Sequence, residues 1–132
     1  AVSSLGVRTV ELAYSMQGQM GYDCQALTHF VWAQVSGGAI QLEAGATNQF
    51  NQMAREGKLV PFDQRQPGDL LFWNDTTGQW PIGHVAIYGG PKDWTLGWMI
   101  QASPGSPVTG MDVWSSDGGE VLRTDFVGRP SL

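Results

Sequence analysis

Cys24 is the single cysteine of the chain, and its neighbours decide what chemistry it offers. Asp23 is a good helix N-cap, so Cys24 opens a helix, where main-chain N–H groups lack intrahelical partners. Those groups favour a thiolate, but a helix terminus contributes only about 0.3–1 kcal/mol. That is less than one pKa unit, at about 1.36 kcal/mol per unit. A thiol with an ordinary pKa of about 8.5 therefore stays mostly protonated at neutral pH, and the Asp23 charge opposes ionisation further. Nucleophilic chemistry here needs a base. Without one, Cys24 reads as a small buried hydrophobe, a common setting for an unpaired cysteine.

Two histidines compete for that role. His29 lies five residues on in the same helix, about 140° around its axis from Cys24, and reads as an exposed or core-edge histidine. His84 opens the run His84-Val85-Ala86-Ile87-Tyr88 after Gly83. Strand alternation groups His84, Ala86 and Tyr88 on one face and Val85 and Ile87 on the other. A histidine at a strand's start, on the side facing the helices, meets the N-terminus of a helix packed there. Spacing alone equally allows a strand-end histidine bonded to a loop. A Cys–His pair works better with a third group that holds the imidazole. Gln101 follows the apolar run Trp98-Met99-Ile100, and its amide oxygen beside His84 would accept from one ring nitrogen and leave the other for the sulfur. The plainer reading is a strand-edge polar residue. No close ligand spacing among Cys24, His29 and His84 suggests a metal, and a lone cysteine excludes a Cys-rich zinc cluster and an internal disulfide.

The elements that must position these residues follow from periodicity. The spacing of Val7, Val10 and Tyr14 predicts a helix over Leu5–Gln17, with Ser4 as cap and Gly18 as stop. A second helix is expected from Cys24 to about Val35, with Leu27, Phe30, Val31 and Val35 as its apolar face and Gly37-Gly38 as its end. A third runs from a Thr47 cap to Glu56, with Phe50, Met53 and Ala54 inward and Gly57 closing it. Short apolar strands follow the turn Gln66-Pro67-Gly68-Asp69: Leu70–Trp73, Val85–Tyr88, Trp98–Ala102, Met111–Trp114 and Leu122–Val127. A polar hairpin loop spans Asn74–Pro81. Helices first and antiparallel strands after is the α+β pattern, with the helices on one side of the sheet.

With 132 residues and no linker or repeat, the chain is expected to form one domain over residues 1–132. A hydrophobic share of 42% argues against disorder. The net charge is −5, and the seven Lys and Arg are scattered. No basic stripe can therefore neutralise a row of phosphates or bind anionic lipid by charge, which argues against nucleic-acid and membrane-surface functions. No apolar run approaches the roughly 20 residues of a membrane span. The opening Ala1-Val2-Ser3-Ser4 lacks the basic and apolar segments of a signal peptide and fits a mature form, a trimmed chain or a domain of a longer protein alike.

Four segments in order carry a resemblance. Tyr22-Asp23-Cys24-Gln25-Ala26-Leu27 resembles the nucleophile motif of NlpC-type cell-wall peptidases, usually Asp-Cys-Ser-Gly-Leu. Gln66-Pro67-Gly68-Asp69-Leu70-Leu71-Phe72 resembles the family's Pro-Gly-Asp-Leu strand start, and Gly83-His84-Val85-Ala86-Ile87-Tyr88 its histidine strand. Met99-Ile100-Gln101-Ala102 falls where the family carries its third polar residue. Each motif alone is weak, whereas four in the right order are specific. Together they cover roughly Leu5 to Val127.

The resemblance implies a papain-like α+β fold with Cys24 as nucleophile, His84 as base and Gln101 as orienter, and neither cofactor nor metal. It implies hydrolysis of amide bonds in peptidoglycan stem peptides, often between γ-D-glutamate and a diamino acid, and a secreted, periplasmic or cell-wall location. Tyr22, Asp23, Gln25 and Gly83 are the expected substrate-binding residues. Gln25 and Ala26 replace the usual Ser and Gly, and the aromatic stretch that precedes the family's nucleophile is missing. Trp73, Trp80, Trp94 and Trp98 are candidates for a different groove, or ordinary core. Two biological settings fit: a wall-remodelling enzyme, or an antibacterial toxin with a cognate immunity protein. The alternatives are a catalytically silent wall-binding module and an amide or acyl transferase built on the same Cys–His site.

Overall fold

The computed structural model describes residues 3–132, with side chains from Leu5 onward; the Ser4 cap side chain and the first two residues lie outside the described part. Three helices come first: α1 (Ser3–Ser15), α2 (Cys24–Val35) and α3 (Ala46–Arg55). Seven short strands follow: β1 (Leu59–Pro61), β2 (Leu70–Asp75), β3 (Ile82–Gly90), β4 (Trp98–Gln101), β5 (Thr109–Asp112), β6 (Glu120–Leu122) and β7 (Phe126–Gly128), with a 3-10 turn over Phe62–Gln64. They form one antiparallel sheet in the order β1-β7-β2-β3-β4-β5, with β6 pairing β2 off that path. This is the expected α+β arrangement.

The helices pack on one face of the sheet. Val10, Ala13 and Met16 of α1, Leu27, Val31 and Trp32 of α2 and Met53 of α3 share a core with Leu70, Phe72, Val85, Ile87 and Ile100. The reverse face carries a second core to which no α-helix contributes: Phe62 of the 3-10 turn, Leu71, Trp73, Ala86, Tyr88, Met99, Val113, Leu122 and Val127. The β3 alternation therefore holds, but Ala86 and Tyr88 face away from the helices. His84 lies on that reverse side with Trp73, contrary to the expectation that its face looks toward them.

The helix faces also differ from the periodicity: in α3, Ala54 is exposed while Gln49 and Gln52 are buried with Met53. In α1, Val7 and Tyr14 are exposed while Thr9, Val10, Ala13 and Met16 are buried. In α2, Phe30 is exposed and Thr28 and Trp32 are buried instead, because the Trp32 indole donates to the Gly68 carbonyl at 3.2 Å. That loop explains the Pro67-Gly68-Asp69 segment. Gly68 has φ +97°, and a Cβ there would lie 2.5 Å from the Gly6 Cα, so α1 crosses the loop backbone to backbone. Asp69, buried, accepts from the Gln66 main-chain N–H and a two-pronged Arg129 guanidinium. Burial pushes its carboxyl up, with the Arg129 and Gln66 bonds opposing. The turn that launches β2 is thus tied to α1, α2 and the C-terminal segment at once.

Candidate active site

Asp23 caps α2: its carboxylate accepts from the Ala26 N–H at 2.8 Å, and its own carbonyl accepts from Leu27 N–H. Gln25 then ties the cap to α3. Its amide donates to both Asp23 oxygens at 2.9 and 3.1 Å, and its Oε1 accepts from the Gly45 N–H at the start of α3. Gln49, fully buried, donates to the Gln25 and Glu43 carbonyls and accepts from Thr28. The polar side chains beside Cys24 are therefore engaged with each other, and they fix where α2 begins. Tyr22 rests on Phe30, ring centroids 5.8 Å apart.

The Cys24 sulfur lies against β3. The β3–β4 ladder pairs Ile87 with Ile100 and β4 ends at Gln101, so His84 and Val85 run past its end. The main-chain N–H of Val85 faces the sulfur there, and with the Gln25 N–H it favours the thiolate. Burial outweighs both and pushes the Cys24 thiol up, with the Asp23 and Glu120 charges adding to the rise. Cys24 is consequently a protonated thiol at neutral pH.

His84 is 6% exposed. Its Nε2 meets Gln101 Oε1 at 2.7 Å. The Gln101 amide nitrogen points the other way, to Met111 Sδ at 3.0 Å, which assigns the oxygen to the ring. In the neutral imidazole Nε2 then carries the hydrogen and Nδ1 the lone pair. Burial lowers the His84 pKa below the usual histidine value, against the opposing effects of the Gln101 bond and the Asp117 charge. His84 is thus uncharged at neutral pH. Nδ1 is then free to accept a proton, while the neutral Gln101 amide occupies the other ring nitrogen.

His84 and Gln101 line a cleft of about 430 Å³ with Ser103, Met111, Trp114 and Glu120, and with Asp117 at its rim. Burial, Asp117 and Asp75 together push the Glu120 carboxyl up. Gly83 packs close beside it: a Cβ there would lie 2.6 Å from Glu120 Oε2, the movable end of that side chain, and 3.2 Å from the Asp75 Cβ. A larger apolar groove, between α1 and the Arg129–Leu132 segment, contains neither Cys24 nor His84.

The structure joins His84 to Gln101 directly and brings Cys24 to the adjoining residue of β3. Among the described residues no hydrogen bond links the thiol to the imidazole. His29 is elsewhere: its Nδ1 meets the Leu42 carbonyl at 2.5 Å. Among the described residues no three His, Cys, Asp or Glu side chains cluster as a metal site, and no helix is long and apolar enough to cross a membrane. Sequence reasoning missed Trp114, Asp117 and Glu120. Trp114 and Asp117 lie in the turn-rich stretch after β5 and Glu120 opens the three-residue β6, where no periodic signal ties them to His84.

The model of the NlpC/P60 family matches residues 11–120. A γ-D-glutamyl-L-lysine dipeptidyl-peptidase of Bacillus subtilis (strain 168) is 36% identical over 73 residues, which cover 54% of this chain and 22% of that protein. Among solved structures, NlpC1 of Trichomonas vaginalis superposes with a TM-score of 0.69 at 20% identity, covering 94% of this chain and 43% of the other. An NlpC/P60 family protein of Bacillus cereus ATCC 10987 gives 0.69 at 21%, covering 94% and 39%. These likenesses show the fold. The chain spans about a fifth of the length of that dipeptidyl-peptidase and less than half of either solved structure.

Proposed function

The chain belongs to the NlpC/P60 family, and from that premise we propose that it is a cysteine peptidase that cleaves amide bonds of peptidoglycan stem peptides, with Cys24 as nucleophile, His84 as base and Gln101 as orienter. The observation that carries this reading is the His84–Gln101 hydrogen bond, which frees Nδ1 next to the residue whose main-chain N–H faces the Cys24 sulfur.

The chemistry starts from an uncharged pair. His84 Nδ1 takes the thiol proton as Sγ attacks the amide carbonyl. The resulting oxyanion sits by the main-chain N–H of Cys24, a first-turn donor without an intrahelical partner. The imidazolium gives its proton to the leaving amine, and a thioester remains on Cys24. Water then attacks the thioester carbonyl, loses a proton to His84, and the acid product leaves as the thiol is restored.

Asp117 and Glu120 make one side of the cleft acidic, which suits the side-chain amine of a diamino acid next to γ-D-glutamate. The relative named for a γ-D-glutamyl-L-lysine bond supports the same substrate class. A protein of this activity works outside the cytoplasmic membrane, at the wall. The test is incubation with defined muropeptides and reading of product masses. Cleavage between γ-D-glutamate and the diamino acid, with gain of one water, is expected. Intact muropeptides in the presence of folded protein whose Cys24 still alkylates would overturn the substrate assignment, and products joined to an added amine would make the enzyme a transferase.

A further inference from the structure

A single hydrogen bond at Nε2 does not fix an imidazole. It pins one atom, while the ring still rolls about that point, and the terminal torsion of histidine is broad. Whether Nδ1 faces the sulfur depends on the plane of the ring, and in this structure a second aromatic system holds that plane. The Trp114 indole lies nearly parallel to the His84 imidazole, with planes 23° apart and centroids 5.8 Å apart. Trp73, the cross-strand partner of His84, meets the imidazole at 5.1 Å and 58° and Trp114 at 4.8 Å and 35°.

Trp114 is itself anchored. The fully buried Trp73 donates its indole N–H to the Trp114 carbonyl at 3.0 Å. The residues on either side are held on the main chain, Val113 N–H by the Gly97 carbonyl and the Ser115 carbonyl by Leu122 N–H, each at 2.8 Å. A strand would not need this much fixing. Trp114 lies outside β5, in an irregular stretch, and its indole lines the cleft.

We propose that Trp114, locked by Trp73, is a positioning residue: its indole fixes the plane of the His84 imidazole and keeps water off the His84–Gln101 bond. This rests on the Cys24–His84 reading above. The charged groups that share the cleft with His84 are Asp117 and Glu120, while Cys24 lies against the adjoining Val85 on the helix side and does not line that cleft. With the indole gone, water enters, burial no longer disfavours the imidazolium, and the Asp117 charge draws the His84 pKa upward.

The experiment compares Trp114→Phe, which keeps a flat face, with Trp114→Leu, which keeps apolar bulk without one. The readouts are the pH profile of Cys24 alkylation by iodoacetamide and the His84 titration by NMR. Trp114→Phe should follow the parent in both. Trp114→Leu should alkylate about tenfold more slowly near neutral pH, the scale of one lost aromatic contact, with the His84 titration displaced to higher pH. A Trp114→Leu protein that matches the parent in both readouts overturns the proposal, as does a loss of thermal stability with an unmoved His84 titration. His84→Ala separates the two failures: if it also leaves alkylation unchanged, the Cys24–His84 reading itself has failed.

Discussion

Replacing Gln101 tests its proposed role as orienter, because its side chain bonds the His84 ring through Oε1 and the Met111 sulfur through its amide nitrogen. In Gln101→Ala the His84 Nε2–H loses its 2.7 Å acceptor. A buried donor left unpaired costs about 1–3 kcal/mol, and the shortened side chain lets water in, which places the loss at the low end. Stability should fall by about 1 kcal/mol, roughly 2–5 °C in Tm for a chain of this size. The rate should suffer more. Without Oε1 both neutral tautomers are open to His84, and the ring loses one of its two constraints. The expected fall in kcat/KM is between about 10-fold and 10²-fold, or about 1.4–2.7 kcal/mol of transition-state stabilisation. Gln101→Glu adds a sign. A carboxylate at Nε2 favours the imidazolium and raises the His84 pKa. Since His84 must be neutral to accept the thiol proton, the acid limb of kcat/KM should move to higher pH, with activity recovering at alkaline pH. The assay is muropeptide hydrolysis across pH 5–9 alongside thermal unfolding. A Gln101→Ala enzyme with the parent's rate and pH profile would refute the role, and a backbone carbonyl or another polar side chain would then hold the ring.

Three further outcomes follow from the same geometry. With the Cys24 thiol raised and the His84 imidazole lowered by burial, the resting pair is uncharged at pH 7. Thiolate absorbance near 240 nm, measured against Cys24→Ser, should emerge only above the ordinary cysteine range; a thiolate signal already present at pH 6 would contradict this. Gly68→Ala forces an L-residue to φ +97° and its Cβ into the Gly6 backbone, so unfolding should cost at least about 3 kcal/mol less than in the parent, on the order of 10 °C in Tm; an unchanged Tm would show that α1 does not cross the loop this closely. His29→Gln, which keeps a polar partner for the Leu42 carbonyl, should retain most of the activity, whereas a loss comparable to that of His84→Ala would move the base to His29.

The start of α2 was legible because capping is local: Asp23, Cys24 and the Gly37-Gly38 stop fix a helix whose observed limits are Cys24–Val35. Strands β2, β3 and β4 were legible as uninterrupted apolar runs, although β3 extends to Ile82 and Gly90. Edges were not. β1 is three residues ending in Pro61 on the sheet's rim, and β5 begins at Thr109 with mostly exposed residues, so neither shows the alternation that marks a half-buried strand. The single strand expected over Leu122–Val127 is two, because Arg123 and Asp125 pair with each other between β6 and β7. α3 starts one residue before the expected Thr47 cap, from Gly45 at φ 96°, and Thr47 instead bonds the Ile82 main chain. At the site, Cys24, His84 and Gln101 stand out as residue types in ordered motifs. The side of the sheet that His84 takes, and the Trp114 stack on it, depend on a long-range fold over the reverse face, and no local pattern encodes that.

Acylation of Cys24 during turnover distinguishes a cysteine nucleophile from every other route. A γ-D-glutamyl–diamino acid muropeptide is mixed with the enzyme, quenched in acid within a turnover, and the protein is mapped by mass spectrometry. A mass increase equal to the acyl half of the substrate is expected on the peptide containing Cys24. The adduct should be released by hydroxylamine, and absent in Cys24→Ala, which should also be inactive. Cleavage of the muropeptide without an adduct, together with full activity in Cys24→Ala, would contradict the role of Cys24 as nucleophile.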